Sequence, residues 1–208
     1  MSRVGRAASA VVIIASLALT GCSGQSSSLA EQAQAGDNKS YISGDGEIVR
    51  YAAEDRLEPV TLSGETVTGD RWSLADHRGS VVVLNKWGSW CPPCVKETPD
   101  LVRAWAQIQA MEAPVTMVGL NFRESPQTGA AFAERSGMTY PSLSDEDGVL
   151  PLELQGRAQA TPTTLVFDTE GRIAAAVAGP LTTATLIGLV EDVLADGAVA
   201  DGAVAGGG

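Results

Sequence analysis

The chain has 208 residues, enough for one globular domain with tails and too few for two full domains. Its 44% hydrophobic content is that of a folded chain with a core. A net charge of −11, from 14 basic and 25 acidic residues, argues against a nucleic-acid surface, which needs clustered Lys and Arg to displace phosphate counterions.

Residues 1–21 read as a targeting segment. Arg3 and Arg6 give a positive start, and the uncharged run from Val11 to Leu19 is shorter than the roughly 20 apolar residues of a membrane span. The run ends in Leu19-Thr20-Gly21-Cys22, which resembles the bacterial lipobox, with Cys22 as the residue that takes the lipid. An ordinary signal peptide with a chance cysteine is the alternative. Residues 22–55 are rich in Ser, Gly, Ala, Gln and Asp and read as a flexible tether. Residues 196–208, ending Ala205-Gly206-Gly207-Gly208, read as a disordered tail, which leaves 56–195 as the folded domain.

Within that domain, strand and helix patterns alternate. Val60-Thr61-Leu62 and Thr66-Val67-Thr68 flank Ser63-Gly64-Glu65 as a small hairpin. The β-branched run from Val81 to Trp87 suits a central strand buried on both faces. Helical spacing follows from Pro93 to about Gln109, and Val115 to Leu120 reads as a second buried strand. Ser125 and Pro126 open a helix through about Arg135, as N-cap and first-turn proline. Thr163–Phe167 and Ile173–Val177 are two strands joined by the turn Asp168-Thr169-Glu170-Gly171, hence antiparallel. Thr182 or Thr183 caps a last helix, Ala184 to Leu194. The order β-α-β-α-β-β-α predicts an α/β fold, a mixed sheet with helices on both faces.

With Cys22 assigned to a lipid, Cys91 and Cys94 are the remaining cysteines, in a compartment that permits disulfides. Cys91-Pro92-Pro93-Cys94 sits where a buried strand ends and a helix begins. There the unsatisfied N–H groups and the positive end of the helix dipole favour thiolate at Cys91. Cys91 is then the exposed nucleophile and Cys94 the buried resolving thiol, with exchange running through a mixed disulfide. Two other readings stay open. Zinc needs three or four ligands, and the chain adds only His77 to the pair. A purely structural disulfide gains little across so short a loop. No metal or other cofactor is expected.

The stretch Leu84-Asn85-Lys86-Trp87-Gly88-Ser89-Trp90-Cys91-Pro92-Pro93-Cys94 resembles the active-site strand and turn of the TlpA/ResA-like branch of the thioredoxin superfamily. The resemblance covers roughly residues 56–195 and implies a thioredoxin-like fold with an N-terminal β-hairpin extension and a central insertion. Pro92 and Pro93 take the place of the active-site dipeptide. Glu97 matches the glutamate of the branch's Cys-x-x-Cys-x-x-Glu-x-Pro pattern, Pro99 its helix-kinking proline, and Thr161-Pro162 its loop with a cis proline against the active-site disulfide. Asn85 stands where cytoplasmic thioredoxins carry a buried aspartate. Glu97, one helical turn beyond Cys94, could relay protons and raise the thiol pKa values by like-charge repulsion, or could be a solvated helix-surface acid. Thr161 would offer its backbone to a substrate strand, and Trp90 would flank Cys91 at the surface, with Trp87 in the core.

The resemblance implies a reductant of extracytoplasmic protein disulfides, with apocytochrome c as substrate during cytochrome c maturation. A membrane electron-donor protein is the expected partner, the lipid on Cys22 would hold the chain on the outer face of the bacterial cell membrane, and a monomer is the default in the absence of any signal for association. A disulfide-forming oxidase or isomerase uses the same residues in the opposite direction. A peroxiredoxin-type peroxidase would need a peroxidatic cysteine with nearby Thr and Arg. A solute-binding lipoprotein would need two lobes, for which the chain is short, and would leave Cys91 and Cys94 unexplained.

Overall fold

Seven consecutive residues, Val81–Trp87, are all buried, and they form β4, the strand around which the rest is arranged. The structure is a computed structural model and describes residues 47–205. Cys22 and the signal segment lie outside the described residues, as does the tether up to residue 46. β4 pairs in parallel with β5 (Val115–Phe122) and antiparallel with β7 (Thr163–Phe167). β5 pairs in parallel with β6 (Ser142–Asp145), and β7 with β8 (Ile173–Ala178) as the expected antiparallel hairpin. β1 (Glu47–Arg50) lies antiparallel along β8 and closes the order β1-β8-β7-β4-β5-β6. The folded unit therefore starts inside the segment expected to be tether.

Side chains of β4 alternate between two cores. Val81 and Val83 meet Leu101, Ala104 and Ile108 of α1 (Pro92–Gln109) and Leu186, Leu189 and Val190 of α3 (Thr183–Ala205). Val82 and Leu84 face Val60, Leu62, Trp72, Leu74, Leu154 and Ala158. Trp87 shares the first face by parity, and there its ring lies 5.3 Å from Phe132 of α2 (Pro126–Arg135). The second face is covered by the small hairpin and by segments of loop and 3-10 turn, where α-helix was expected.

The hairpin is real but shifted. Ser63–Glu65, expected as its turn, is strand β2, paired with β3 (Arg71–Ser73). The turn lies at 66–70, where Thr66 Oγ1 accepts the N–H groups of Thr68 and Asp70. Ser125 caps α2 through Thr128 N–H at 3.3 Å, and Thr182 caps α3 through Thr185 N–H at 3.2 Å. α3 runs on to Ala205, beyond the expected end at Leu194 and through most of the expected tail. No helix among the described residues is long and apolar enough to cross a membrane.

Candidate active site

β4 ends at Trp87, and Gly88-Ser89-Trp90 carry the chain to Cys91, the N-cap of α1. Pro92 and Pro93 occupy the first helical turn, where a missing N–H has no intrahelical partner to lose. Cys91 and Cys94 form a disulfide with Cα atoms 5.3 Å apart, and the Cys94 N–H donates to Cys91 Sγ over 3.3 Å. When the bond is reduced, that donor and the helix dipole stabilise negative charge on Cys91. Opposite, the Thr161 carbonyl oxygen lies 3.7 Å from Cys91 Sγ, and the Thr161–Pro162 peptide is cis, as the resemblance implied.

The expected exposure of Cys91 does not hold. Cys91 is 3% exposed and Cys94 1%. Bonded to each other, the sulfurs sit in a cluster with Trp87, against which Phe132, Ala133 and Met138 pack. What faces outward is Trp90, at 52% exposure, with Pro92 and Pro93 beside it.

Trp90 is exposed yet fixed. Its Nε1–H donates to the Phe122 carbonyl at 2.9 Å, and its ring passes over Gly88. A Cβ on Gly88 would sit 2.5 Å from the indole nitrogen, so only glycine lets the ring lie there. The preceding residue is held as firmly. The Glu124 carboxylate accepts the Ser89 N–H at 2.8 Å, the Ser89 hydroxyl and the Asn121 side-chain amide. The end of β5 thus grips the loop that delivers Cys91. Nothing in the local sequence marked Glu124, Phe132 or Met138, because each reaches the site from a segment more than 30 residues downstream of the loop.

Glu97 is not a solvated surface acid; it is 2% exposed, on the inner face of α1. Its Oε1 accepts from Asn85 Nδ2 at 3.0 Å and its Oε2 from the Leu181 N–H at 3.1 Å. Asn85 Nδ2 also donates to Thr164 Oγ1 at 3.0 Å. Burial raises the Glu97 pKa to about 7, against the lowering by those two hydrogen bonds, with the nearby Asp100 charge adding to the rise. A carboxyl that changes charge near neutral pH thus stands one turn from Cys94. Pro99 lies within the same helix, exposed.

Lys86 points to the opposite face and is also buried, with Nζ 2.6 Å from the Ala158 carbonyl and 4.5 Å over the Phe122 ring. Burial lowers its pKa, opposed by Asp145 and reinforced by Arg123. His77 stacks on Trp72 at 5.1 Å. Among the described residues, no group of three His, Cys, Asp or Glu side chains is placed to hold a metal ion.

Residues 55–176 match the model of the AhpC/TSA family. The chain is 30% identical over 140 residues to the thiol:disulfide interchange protein HelX of Rhodobacter capsulatus, covering 67% of this chain and 73% of that one. It is 34% identical over 115 residues to the thiol-disulfide oxidoreductase ResA of Geobacillus thermodenitrificans, over 55% of this chain and 63% of the relative's length. Among solved structures, a secreted thiol-disulfide isomerase from Corynebacterium glutamicum superposes with a TM-score of 0.64 at 31% identity, over 73% of this chain and 96% of its own.

Proposed function

This chain belongs to the AhpC/TSA family, among its TlpA/ResA-like thioredoxin-fold members, and we propose that it is an extracytoplasmic thiol–disulfide oxidoreductase acting through Cys91 and Cys94. The observation that carries the reading is the redox pair itself. A disulfide sits at a helix N-terminus, with a backbone N–H aimed at Cys91 Sγ and a carbonyl beside the cis proline facing the same sulfur.

In the reducing direction, Cys91 thiolate attacks one sulfur of a substrate disulfide, forming a mixed disulfide and expelling the other sulfur as thiolate. Cys94 loses its proton and attacks Cys91 Sγ, which expels the second substrate thiolate. The chain is left as the Cys91–Cys94 disulfide, and two electrons have passed to the substrate. A dithiol carrier, read as a membrane electron-donor protein, then reduces the pair by the same steps in reverse. Glu97, buried and titrating near neutrality, is read as the group that takes the Cys94 proton. Trp90, Pro92, Pro93 and Thr161 form the surface that meets the substrate, and Pro162, itself buried, shapes the loop beside it.

The substrate proposed is an oxidised cysteine pair of an apocytochrome c, an expectation from the TlpA/ResA-like resemblance. The proposed setting is the outer face of the cell membrane, with a lipid on Cys22 as tether. The test is reduction of insulin disulfides together with the equilibrium potential of the Cys91–Cys94 pair. A potential below about −220 mV supports a reductase, and one near −120 mV assigns the opposite, oxidising direction. Failure to exchange with insulin in either direction removes the reading.

A further inference from the structure

Lys86 takes no part in the exchange as described, yet it is 1% exposed in the strand that delivers Cys91. Its ammonium donates to the Ala158 carbonyl at 2.6 Å and stands 3.5 Å from the Gln159 carbonyl. These carbonyls belong to the stretch immediately before Thr161 and cis Pro162. That stretch is neither helix nor strand. Among the described residues, the carbonyls of 158–160 have two polar ties, Lys86 and the Thr163 hydroxyl, which donates to the Ala160 carbonyl at 2.9 Å. The loop facing Cys91 is therefore held from β7 on one side and from the strand of Cys91 itself on the other.

Packing does not explain the charge. Taking an ammonium out of water costs several kcal/mol, and an apolar side chain of similar volume fills such a site without that cost. Apolar neighbours are close by, since Phe122 lies under Nζ and Leu84 precedes it on the same face. An apolar side chain could not hold the two carbonyls.

We propose that Lys86 is a positioning residue for polypeptide substrates: by holding the carbonyls of Ala158 and Gln159 it fixes the Thr161 backbone as the edge along which a substrate strand lies while its disulfide meets Cys91. The inference rests on the exchange reading above. A disulfide embedded in a polypeptide uses that edge. A small disulfide with no flanking backbone does not.

Asp145 supplies a control. It is 3% exposed; its Oδ1 accepts the N–H groups of Val149 and Leu150, and its Oδ2 has no partner among the described residues. Its charge is the one that favours the charged form of Lys86. Lys86→Met leaves that carboxylate uncompensated and lowers stability, whereas Lys86→Met with Asp145→Asn removes both charges and keeps the Oδ1 acceptor.

The experiment uses the reduced protein, Lys86→Met and the double variant. Second-order rate constants are measured for insulin and for 2-hydroxyethyl disulfide, alongside thermal midpoints. The expected result is that the insulin-to-small-disulfide rate ratio falls about tenfold in both variants, the loss of one or two backbone hydrogen bonds to substrate. The double variant regains thermal stability without regaining the ratio. An unchanged ratio overturns the proposal, as does a ratio that recovers together with stability, which makes Lys86 a fold residue only. A wild-type protein inert towards both disulfides removes the exchange reading itself.

Discussion

Glu97→Gln removes one buried titration and leaves the shape of the side chain, so its effect can be worked out before it is measured. The native carboxyl titrates at about 7, against 4.5 for an ordinary glutamate in water. The difference, converted at about 1.36 kcal/mol per pH unit, is on the order of 3 kcal/mol. The sign follows from proton binding. Below about pH 4.5 both folded and unfolded Glu97 hold the proton, and this group adds no pH dependence. Between there and about 7 the unfolded chain has released it while the native chain has not. The native state binds more protons in that window, so stability falls as pH rises, and levels off above it.

In the variant, Gln Oε1 can still accept the Leu181 N–H, and its Nε2 meets Asn85, whose own Oδ1 has no partner among the described residues. A flip of the Asn85 amide turns that oxygen towards Nε2. The network then loses no more than about one hydrogen bond, roughly 1 kcal/mol. Urea unfolding of both proteins, oxidised and across pH 4 to 8.5, gives the difference in stability with every shared titration cancelled. The variant should gain on the wild type by about 3 kcal/mol between the ends of that range. A difference that stays flat with pH refutes the raised Glu97 titration, from which the proton-transfer step draws its acceptor near neutral pH.

Thiolate absorbance of the reduced proteins should show lower cysteine pKa values in Glu97→Gln than in the wild type above neutral pH, because a like charge has been removed; unchanged titration leaves Glu97 without influence on the thiols. Glu124→Ala releases the Ser89 N–H, the Ser89 hydroxyl and Asn121 together, and should slow insulin reduction by at least about tenfold while altering Trp90 fluorescence. If rate and emission both stay at wild-type values, the grip of β5 on the loop is idle. Gly88→Ala forces the Trp90 ring off its seat and should lower activity comparably, with the indole hydrogen bond to Phe122 lost in NMR spectra. Mass spectrometry of the mature protein should find a lipid on Cys22 that Cys22→Ala abolishes, and an unmodified N-terminus elsewhere ends that proposal.

What was legible in the sequence was local. The run Val81–Trp87 declares a buried strand by its β-branched side chains, and Cys-Pro-Pro-Cys after it declares a cysteine pair at a helix start. Ser125-Pro126 and Asp168–Gly171 are capping and turn chemistry written within a few residues. What was not legible depends on partners far along the chain. β1 and β6 are four residues each, at the sheet edges, and Ser142-Leu143-Ser144-Asp145 has no apolar run to mark it. The hairpin slipped because Thr66, Thr68 and Asp70 build a side-chain-bonded turn that strand propensity does not weigh. Cys91 was expected outside from its place at the helix start, yet Phe132 of α2 and Met138 just after that helix, both more than 40 residues on, pack against its cluster. The burial of Lys86 against the 158–159 carbonyls belongs to the same class. A charged residue in an apolar strand signals a buried partner, but not which one.

In the proposed exchange Cys91 attacks and Cys94 resolves. Cys94→Ser keeps the helix N-terminus and the backbone N–H that favour charge on Cys91, and removes the thiol that ends the intermediate. Expressed in the native host and recovered under acid quenching, this variant should carry proteins joined to Cys91 by a reducible disulfide, c-type apocytochrome among them. Cys91→Ser should carry almost none. Equal trapping by both variants, or trapping by Cys91→Ser alone, would contradict the account.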